Sequence, residues 1–272
     1  MAVITISRQV AALGDEIASD LAKKIGYTFI DRKQIEKRIV ELGFPKEKME
    51  KYDERKPGFF ASLAKDRDEY LNYLQYAVLE AASSGNCILI GRGAFIILDE
   101  LPNLVAMRFV ANDNVRLERL KNEFSWEDKQ AQARIDESDN NRRGFHKSFF
   151  NADHENPSRY LFTLNTGLLG REESVKIIEG VVKSYITPQK EAAGKEKVAM
   201  LLKGQRLVNQ LLFDFKMNIN FLRAVVEKDV ITLQGVADSH ALVDRAVQAA
   251  AKILPTCEIR SAITISRDYK AF

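Results

Sequence analysis

Apolar positions change period once within the first 26 residues. Val3, Ile4 and Ile6 make a short apolar run, after which Ile17, Leu21 and Ile25 recur every four residues with Ala18 and Ala22 beside them. This is a buried strand followed by an amphipathic helix. Gly26 stands where a left-handed helix C-cap belongs. Residues 7–14 join the two and bring the helix N-terminus, with its free amides, to the strand end. That is the layout of a phosphate-binding loop.

The alternation continues. Residues 27–30 read as a short extended piece, and Asp31 is placed to cap a charged helix that runs to about residue 42. Residues 45–60 are highly charged, contain Pro57-Gly58, and read as a mobile connection. A long helix is predicted over 65–84 from Leu71, Leu74, Val78 and Ala81. Cys87-Ile88-Leu89-Ile90 is a continuous apolar run of the kind buried in parallel sheets, and it ends in Gly91-Arg92-Gly93. A strand over 104–111, interrupted by Arg108, precedes a helix carrying Arg116 and Arg119. A long polar helix over 126–147, a strand over 160–165 and a helix over 172–184 follow. Strands alternating with helices predict an α/β fold with a doubly wound parallel sheet.

The pattern then shifts. Residues 187–200 are polar and rich in lysine and glutamate, and read as a linker between residues 1–186 and a second unit, 201–272. There a helix over 201–215, a hairpin turning at Lys228-Asp229, a helix over 240–253 and a strand over 258–266 predict a smaller α+β domain. Ile-Thr-Ile-Ser-Arg occurs at both 4–8 and 263–267. The flanks differ entirely, so it is read as coincidence.

Composition narrows the chemistry. The 272 residues are 46% hydrophobic and 29% charged, as in an ordinary folded protein. No apolar run approaches the ~20 residues of a membrane span, and the N-terminus lacks a signal-peptide pattern. The cytoplasm is the expected address. Residues 201–272 hold 10 basic and 7 acidic side chains, so the net charge of +3 lies wholly there. That is too little for a nucleic-acid surface. Cys87 and Cys257 open strand-like runs, far from any metal spacing, and read as reduced and structural. His146, His154 and His240 have no carboxylate or cysteine at ligand spacing, so no metal site is expected.

The loop itself is unusual. A standard phosphate loop carries a lysine that reaches the terminal phosphates and a hydroxyl that holds magnesium. Here residues 7–16 read Ser7-Arg8-Gln9-Val10-Ala11-Ala12-Leu13-Gly14-Asp15-Glu16, with neither in place. Phosphoryl transfer depends on cations converging at the carboxyl ends of parallel strands. Arg8 leaves the first strand and Arg92 the apolar strand that follows the long helix. Asp139, Arg142 and Arg143 fall at i, i+3 and i+4 of the polar helix, on one face, ahead of Phe149-Phe150 and a polar loop, which reads as a lid. Arg116 and Arg119 read as structural, and Asp31 first as a helix cap and second as a ligand.

Taken together, residues 4–8, Phe29-Ile30-Asp31, Ile90-Gly91-Arg92-Gly93, Arg116 with Arg119, residues 142–150 and Asn165-Thr166-Gly167 resemble the cytidylate kinase-like family over about residues 2–185. The resemblance implies a P-loop kinase-like fold related to nucleoside monophosphate kinases and use of ATP and magnesium. In that pattern Gly14 stands where an authentic kinase has its lysine. Arg92 matches the substrate-side arginine of a Gly-Arg-Asp motif whose aspartate is here Gly93. Asp139 and Arg142 match the lid residues that hold nucleotide, and residues 165–167 the loop that packs the ATP base. Residues 201–267 look like a BON domain, a module associated with binding, on the strength of Gly235 after a strand and the helix-strand ending.

The implied function is phosphoryl transfer from ATP to a CMP- or dCMP-type acceptor. Arg8, Arg92, Arg142 and Arg143 would be its catalytic cations, and Ser7, Leu13, Gly14, Asp15, Asp31, Asp139, Asn165, Thr166 and Gly167 its nucleotide-binding residues. Asp15 or Glu16 would be the nearest carboxylates to magnesium. The alternatives are an inactive nucleotide sensor, its second domain passing the bound state to a protein or small-ligand partner, and a structural scaffold. Homo-oligomerisation stays open.

Overall fold

The structure, a computed structural model, describes residues 2–49 and 64–266. Its first sheet comprises β1 (Val3–Arg8), β2 (Thr28–Ile30), β3 (Cys87–Ile90), β4 (Leu104–Val110) and β5 (Phe162–Asn165), in the order β2-β3-β1-β4-β5 and all parallel. The helices are α1 (Gly14–Ile25), α2 (Arg32–Glu41), α3 (Lys46–Met49), α4 (Ala64–Ser83), α5 (Ala94–Ile97), α6 (Asp113–Phe124), α7 (Asp128–Phe150) and α8 (Arg171–Tyr185). The doubly wound α/β sheet is as expected. Of the predicted mobile connection, 46–49 form a helical turn and 50–60 lie outside the described residues.

Strand parity sorts the core. Val3, Cys87 and Leu89 face one layer, with α4, α2 and the aromatic end of α7; Ile4, Ile6, Ile88 and Ile90 face the other, with α1 and α8. Both faces are covered, which is why these strands read as unbroken apolar runs. The chain runs outward from β1 to β2, returns through β3, then crosses to β4 and β5, so the winding reverses at β1. Such a reversal opens a crevice at the strands' carboxyl ends. Ile6 pairs with Ile90 and Ser7 with Arg108, so the ends of β1, β3 and β4 share that edge.

The second sheet has the order β6-β7-β8, with β6 (Asn220–Glu227) and β7 (Val230–Ala237) antiparallel across the predicted turn, and β8 (Glu258–Ile265) parallel to β7 after α10 (His240–Ile253). Residues 187–200, expected as a polar linker, are helical from Pro188. They form the first half of α9 (Pro188–Asn209), which a π turn, Gln210–Asp214, extends. Thr187 caps it through Lys190 N–H at 3.2 Å, Pro188 sits in its first turn, and its alanines, lysines and glutamates favour helix. Val198 enters the large core while Leu207, Val208 and Leu211 enter that of the small sheet. One helix therefore serves both units. Among the described residues no helix is long and apolar enough to cross a membrane.

Close approach sets where α9 can lie. A Cβ on Gly204 would strike the Ala224 carbonyl of β6, whereas one on Gly180 in α8 would meet nothing within 4 Å. Gly204→Ala is expected to destabilise the protein by about 1–3 kcal/mol through forced displacement of β6. Gly180→Ala is expected to stabilise it by about 0.5–1 kcal/mol through helix propensity. Equilibrium urea unfolding of both variants checks the pair.

Candidate nucleotide site

The loop after β1 is held by its carbonyls. Arg116, its side chain 1% exposed, donates from Nε to Val10 O at 3.0 Å and clasps Asp139 with Nη2 at 2.9 and 2.8 Å. Arg119 donates to Ala11 O at 2.9 Å and to Thr166 O at 2.6 Å, and the Thr166 hydroxyl donates to Ala12 O at 3.0 Å. A trans peptide plane points its N–H away from its C=O. The amides of Ala11 and Leu13 are therefore turned from the side that Arg116, Arg119 and Thr166 occupy. Ala11 (φ 57°) and Leu13 (φ 53°) take the left-handed conformation to make this turn, and Leu13 caps α1. Non-glycine residues hold that shape at a cost of about 1–2 kcal/mol each, which the braces sustain.

Arg8 lies over two glycines. A Cβ on Gly14 would lie 2.7 Å from Arg8 Cγ, and one on Gly91 would lie 2.8 Å from Arg8 Nη1. Its stem lies over the first turn of α1 and its guanidinium over the end of β3. Asp15 accepts from it at 3.4 Å. Asp15 and Glu16 also complement the positive end of α1, the end a phosphate would use.

Beside it, a small cavity of about 20 Å³ is lined by Thr5, Ser7, Arg8, Arg92, Arg142 and His146, among others. The Thr5 hydroxyl is buried and has no partner among the described residues. Arg92 (φ 55°) is buried, ion-pairs with Glu36 of α2, and stands 5.6 Å from the Phe145 ring centre. Burial, then the cations Arg32 and Arg8, push its guanidinium down to about 9, so it remains charged at neutral pH. Crowded cations out of water favour an anion. Arg142 donates to Ser138 at 2.5 Å and lies 3.9 Å from Asp139.

The end of α7 is docked on this edge. The Phe150 ring occupies the space a Cβ on Gly93 would need, and Gly93 has φ 69°. The aspartate of a Gly-Arg-Asp motif has no room there. His146 and His154 stack at 4.6 Å, and Arg108 of β4 donates to His154 O at 2.9 Å. Burial, then His146, Arg108 and Arg142, lower the His154 imidazole to about 3, against a smaller upward pull from Asp153.

The candidate residues thus divide. Ser7, Arg8, Arg92 and Arg142 converge, with Leu13, Gly14 and Asp15 on the adjoining loop. Arg143 does not join them: its side chain is 56% exposed and bonds Asn140 at 3.0 Å, so it lies off the face of Arg142. Asp139 is taken up by Arg116, and Asp31 is a cap whose carboxylate accepts from Gln34 N–H at 2.8 Å. Asn165 Oδ1 accepts from Gly167 N–H at 2.9 Å while Thr166 braces the loop. Thr5, Arg32 and Glu36 join the site without a signal along the chain, and His146 and His154 join it as a stacked pair, not as metal ligands. Only the interruption of an apolar strand by Arg108 was a signal in the sequence.

A model of the cytidylate kinase-like family matches residues 3–168. The chain belongs to that family. An uncharacterized protein from Eubacterium ventriosum shares the fold, with a TM-score of 0.56 at 16% identity over 67% of this chain and 98% of that one. Shikimate kinase from Bacteroides thetaiotaomicron aligns with a TM-score of 0.42 at 17% identity over 67% and 98%. A gluconokinase from Sinorhizobium meliloti aligns with 0.40 at 13% over 67% and 92%. None of the curated proteins matches. The family covers the whole of the braced loop, the cation cluster and α7.

Two outcomes follow from this geometry. Arg116→Met leaves Asp139 and Val10 O without their donor and is expected to cost about 3–5 kcal/mol; adding Asp139→Leu should recover part of that loss in chemical denaturation. His154 bears on acid stability. Its folded pKa of about 3 lies below the usual 6.5, so its contribution is complete above about pH 6.5 and declines as pH falls towards 3. Relative to wild type, His154→Gln should lose less stability between pH 7 and pH 4, by on the order of 3 kcal/mol.

Proposed function

We propose that this chain transfers the terminal phosphoryl group of ATP to a nucleoside monophosphate of the CMP or dCMP type, with Arg8 doing the work of the loop lysine. The observation that carries the reading is the Arg8 stem lying across Gly14, 2.7 Å from where a Cβ would stand. A lysine at 14 and an arginine at 8 compete for one space, and this chain keeps the arginine. Both supply a fixed cation at the loop. Bound ATP supplies the phosphoryl group. The loop fits it, because Arg116, Arg119 and Thr166 draw the carbonyls of residues 10–12 to their own side. In this reading Leu13, Gly14 and Asp15 present amides to the phosphates, Arg8 neutralises developing charge, Arg92 and Arg142 hold the acceptor phosphate, and α7 excludes water.

Magnesium fits less well. No hydroxyl follows position 14, Asp15 is engaged with Arg8, and no cluster of three His, Cys, Asp or Glu forms among the described residues. No step is assigned to the metal. Under this proposal residues 201–266 form a BON-like binding module; the run of helix, hairpin, α10 and β8 supports that likeness.

A second reading, a nucleotide sensor that does not turn over, is favoured by one feature. Arg92 is already paired with Glu36, and Phe150 covers the strand end, leaving about 20 Å³. The two readings separate in a coupled ADP-release assay with CMP and dCMP, alongside calorimetric titration of ATP. Arg8→Ala is expected to lower turnover by about 10³ while ATP still binds, and Arg8→Ala/Gly14→Lys to restore part of it by filling the vacated space. Wild-type binding without turnover would establish the sensor.

A further inference from the structure

A space larger than the one at the loop lies away from it. A cavity of about 630 Å³ opens between α4, α9 and β6, within the range of about 300–1,000 Å³ that small-molecule sites occupy. Its apolar lining includes Leu71 from α4, Leu201 and Val208 from α9, and Leu222 from β6. Leu222 and Val208 are buried in the small core, and Leu71 packs against the large one. The two cores approach here without closing. Phe213, beyond α9, stacks on Tyr73 of α4 at 4.5 Å and 9° and braces the joint.

Polar side chains share the lining with these apolar ones. Gln205 donates to Asn72 Oδ1 at 3.0 Å and to Asn209 Oδ1 at 2.8 Å, which leaves its Oε1 without a donor among the described residues. The acidic side chains at the rim already face cations: Glu100 meets Lys197 at 2.5 Å, Glu69 meets Lys48 at 3.0 Å, and Asp68 stands 3.7 Å from Arg67. Lys216 and Arg223 also line the cavity, and neither has an ion pair among the described residues. Three acidic and three basic side chains line the cavity, and Lys216 and Arg223 are the two basic ones with no carboxylate partner among the described residues.

Backbone strain marks the same place. β6 carries an irregularity between Asn220 and Arg223, and within it Phe221 has φ 54° with 69% of its surface exposed. A bulky residue in the left-handed region is a true outlier, and such strain clusters where ligands are held. It places an aromatic ring at the cavity's edge, next to Arg223.

From the volume, the apolar wall, the unpaired cations and the strained aromatic, we infer that this cavity binds a small amphipathic anion: an apolar chain or ring between α4 and α9, its acidic head at Lys216 and Arg223. The site is separate from the nucleotide loop, and its ligand need not be a nucleotide.

Dodecanoate, below its micelle concentration, is the probe, titrated calorimetrically into the full chain. Saturable binding of one molecule per chain is expected. Lys216→Ala/Arg223→Ala, both at the surface, should weaken it about tenfold while binding of dodecanol changes little, since only the charged head is lost. Leu71→Trp, which fills space on the α4 side of the cavity, should abolish saturable binding of both. Absence of saturable binding to wild type, or equal loss of dodecanoate and dodecanol in the surface double variant, would overturn the proposal. So would undiminished binding in a folded Leu71→Trp. The surface variant keeps the test decisive if Leu71→Trp fails to fold.

Discussion

The nucleotide end of this molecule depends on a buried guanidinium. Arg116 leaves α6, disappears from solvent, and ties the Val10 carbonyl to Asp139 of α7. A buried cation is tolerable only when nearly all its donors are met, and here a loop carbonyl and two carboxylates meet them. The same bonds orient the loop peptides and anchor α7. Arg119 and Thr166 repeat the device one and two residues further on. The phosphate loop is thus shaped less by its own residues, which lack the usual glycines, than by a basic helix and the end of β5 that grip it from behind.

Once the loop is held there, space becomes the controlling quantity at the front. Arg8 uses the room above Gly14 and Gly91, and Phe150 the room beside Gly93. Each glycine is the vacancy into which a larger side chain has moved. Positions 8 and 14 are separate along the chain, yet in three dimensions they share one space, as do Gly93 and the docked end of α7. The cost of drawing Arg8, Arg32 and Arg92 together is offset by Glu36 and Asp15, and it adds to burial, the larger cause, in lowering the pKa of Arg92.

The second unit is joined by packing rather than by a flexible chain. α9 carries Val198 into one core and Leu207 into the other, while Gly194 lets it settle on Asn103 and Gly204 lets β6 approach its backbone. α4 completes the joint, and it also brings Tyr70 to Phe149 of α7 at 5.3 Å. α4 therefore lines the large cavity and also touches α7.

Much of this was legible along the chain. Period alone placed β1, α1 and its Gly26 cap, the buried strands β3 and β4, and the hairpin at 228–229, because burial on one or both sides leaves a local signature in apolar spacing. Asp31 was legible as a cap because capping is decided within four residues. The roles of Asp139, Arg143 and residues 165–167 were not, since a charged side chain serves whichever partner the packed elements bring to it. Asp139 meets an arginine 23 positions away, and Thr166 a carbonyl 154 positions away. The helix within residues 187–200 was hidden for a related reason: a polar helix that buries only one edge carries the composition of a linker. By itself the sequence determined the elements, the family and the convergence of Ser7, Arg8 and Arg92 at one sheet edge, all fixed by local period and strand ends. Only the tertiary structure decided which cations brace the loop and which face the pocket, because that depends on space and partners that no short stretch of chain contains.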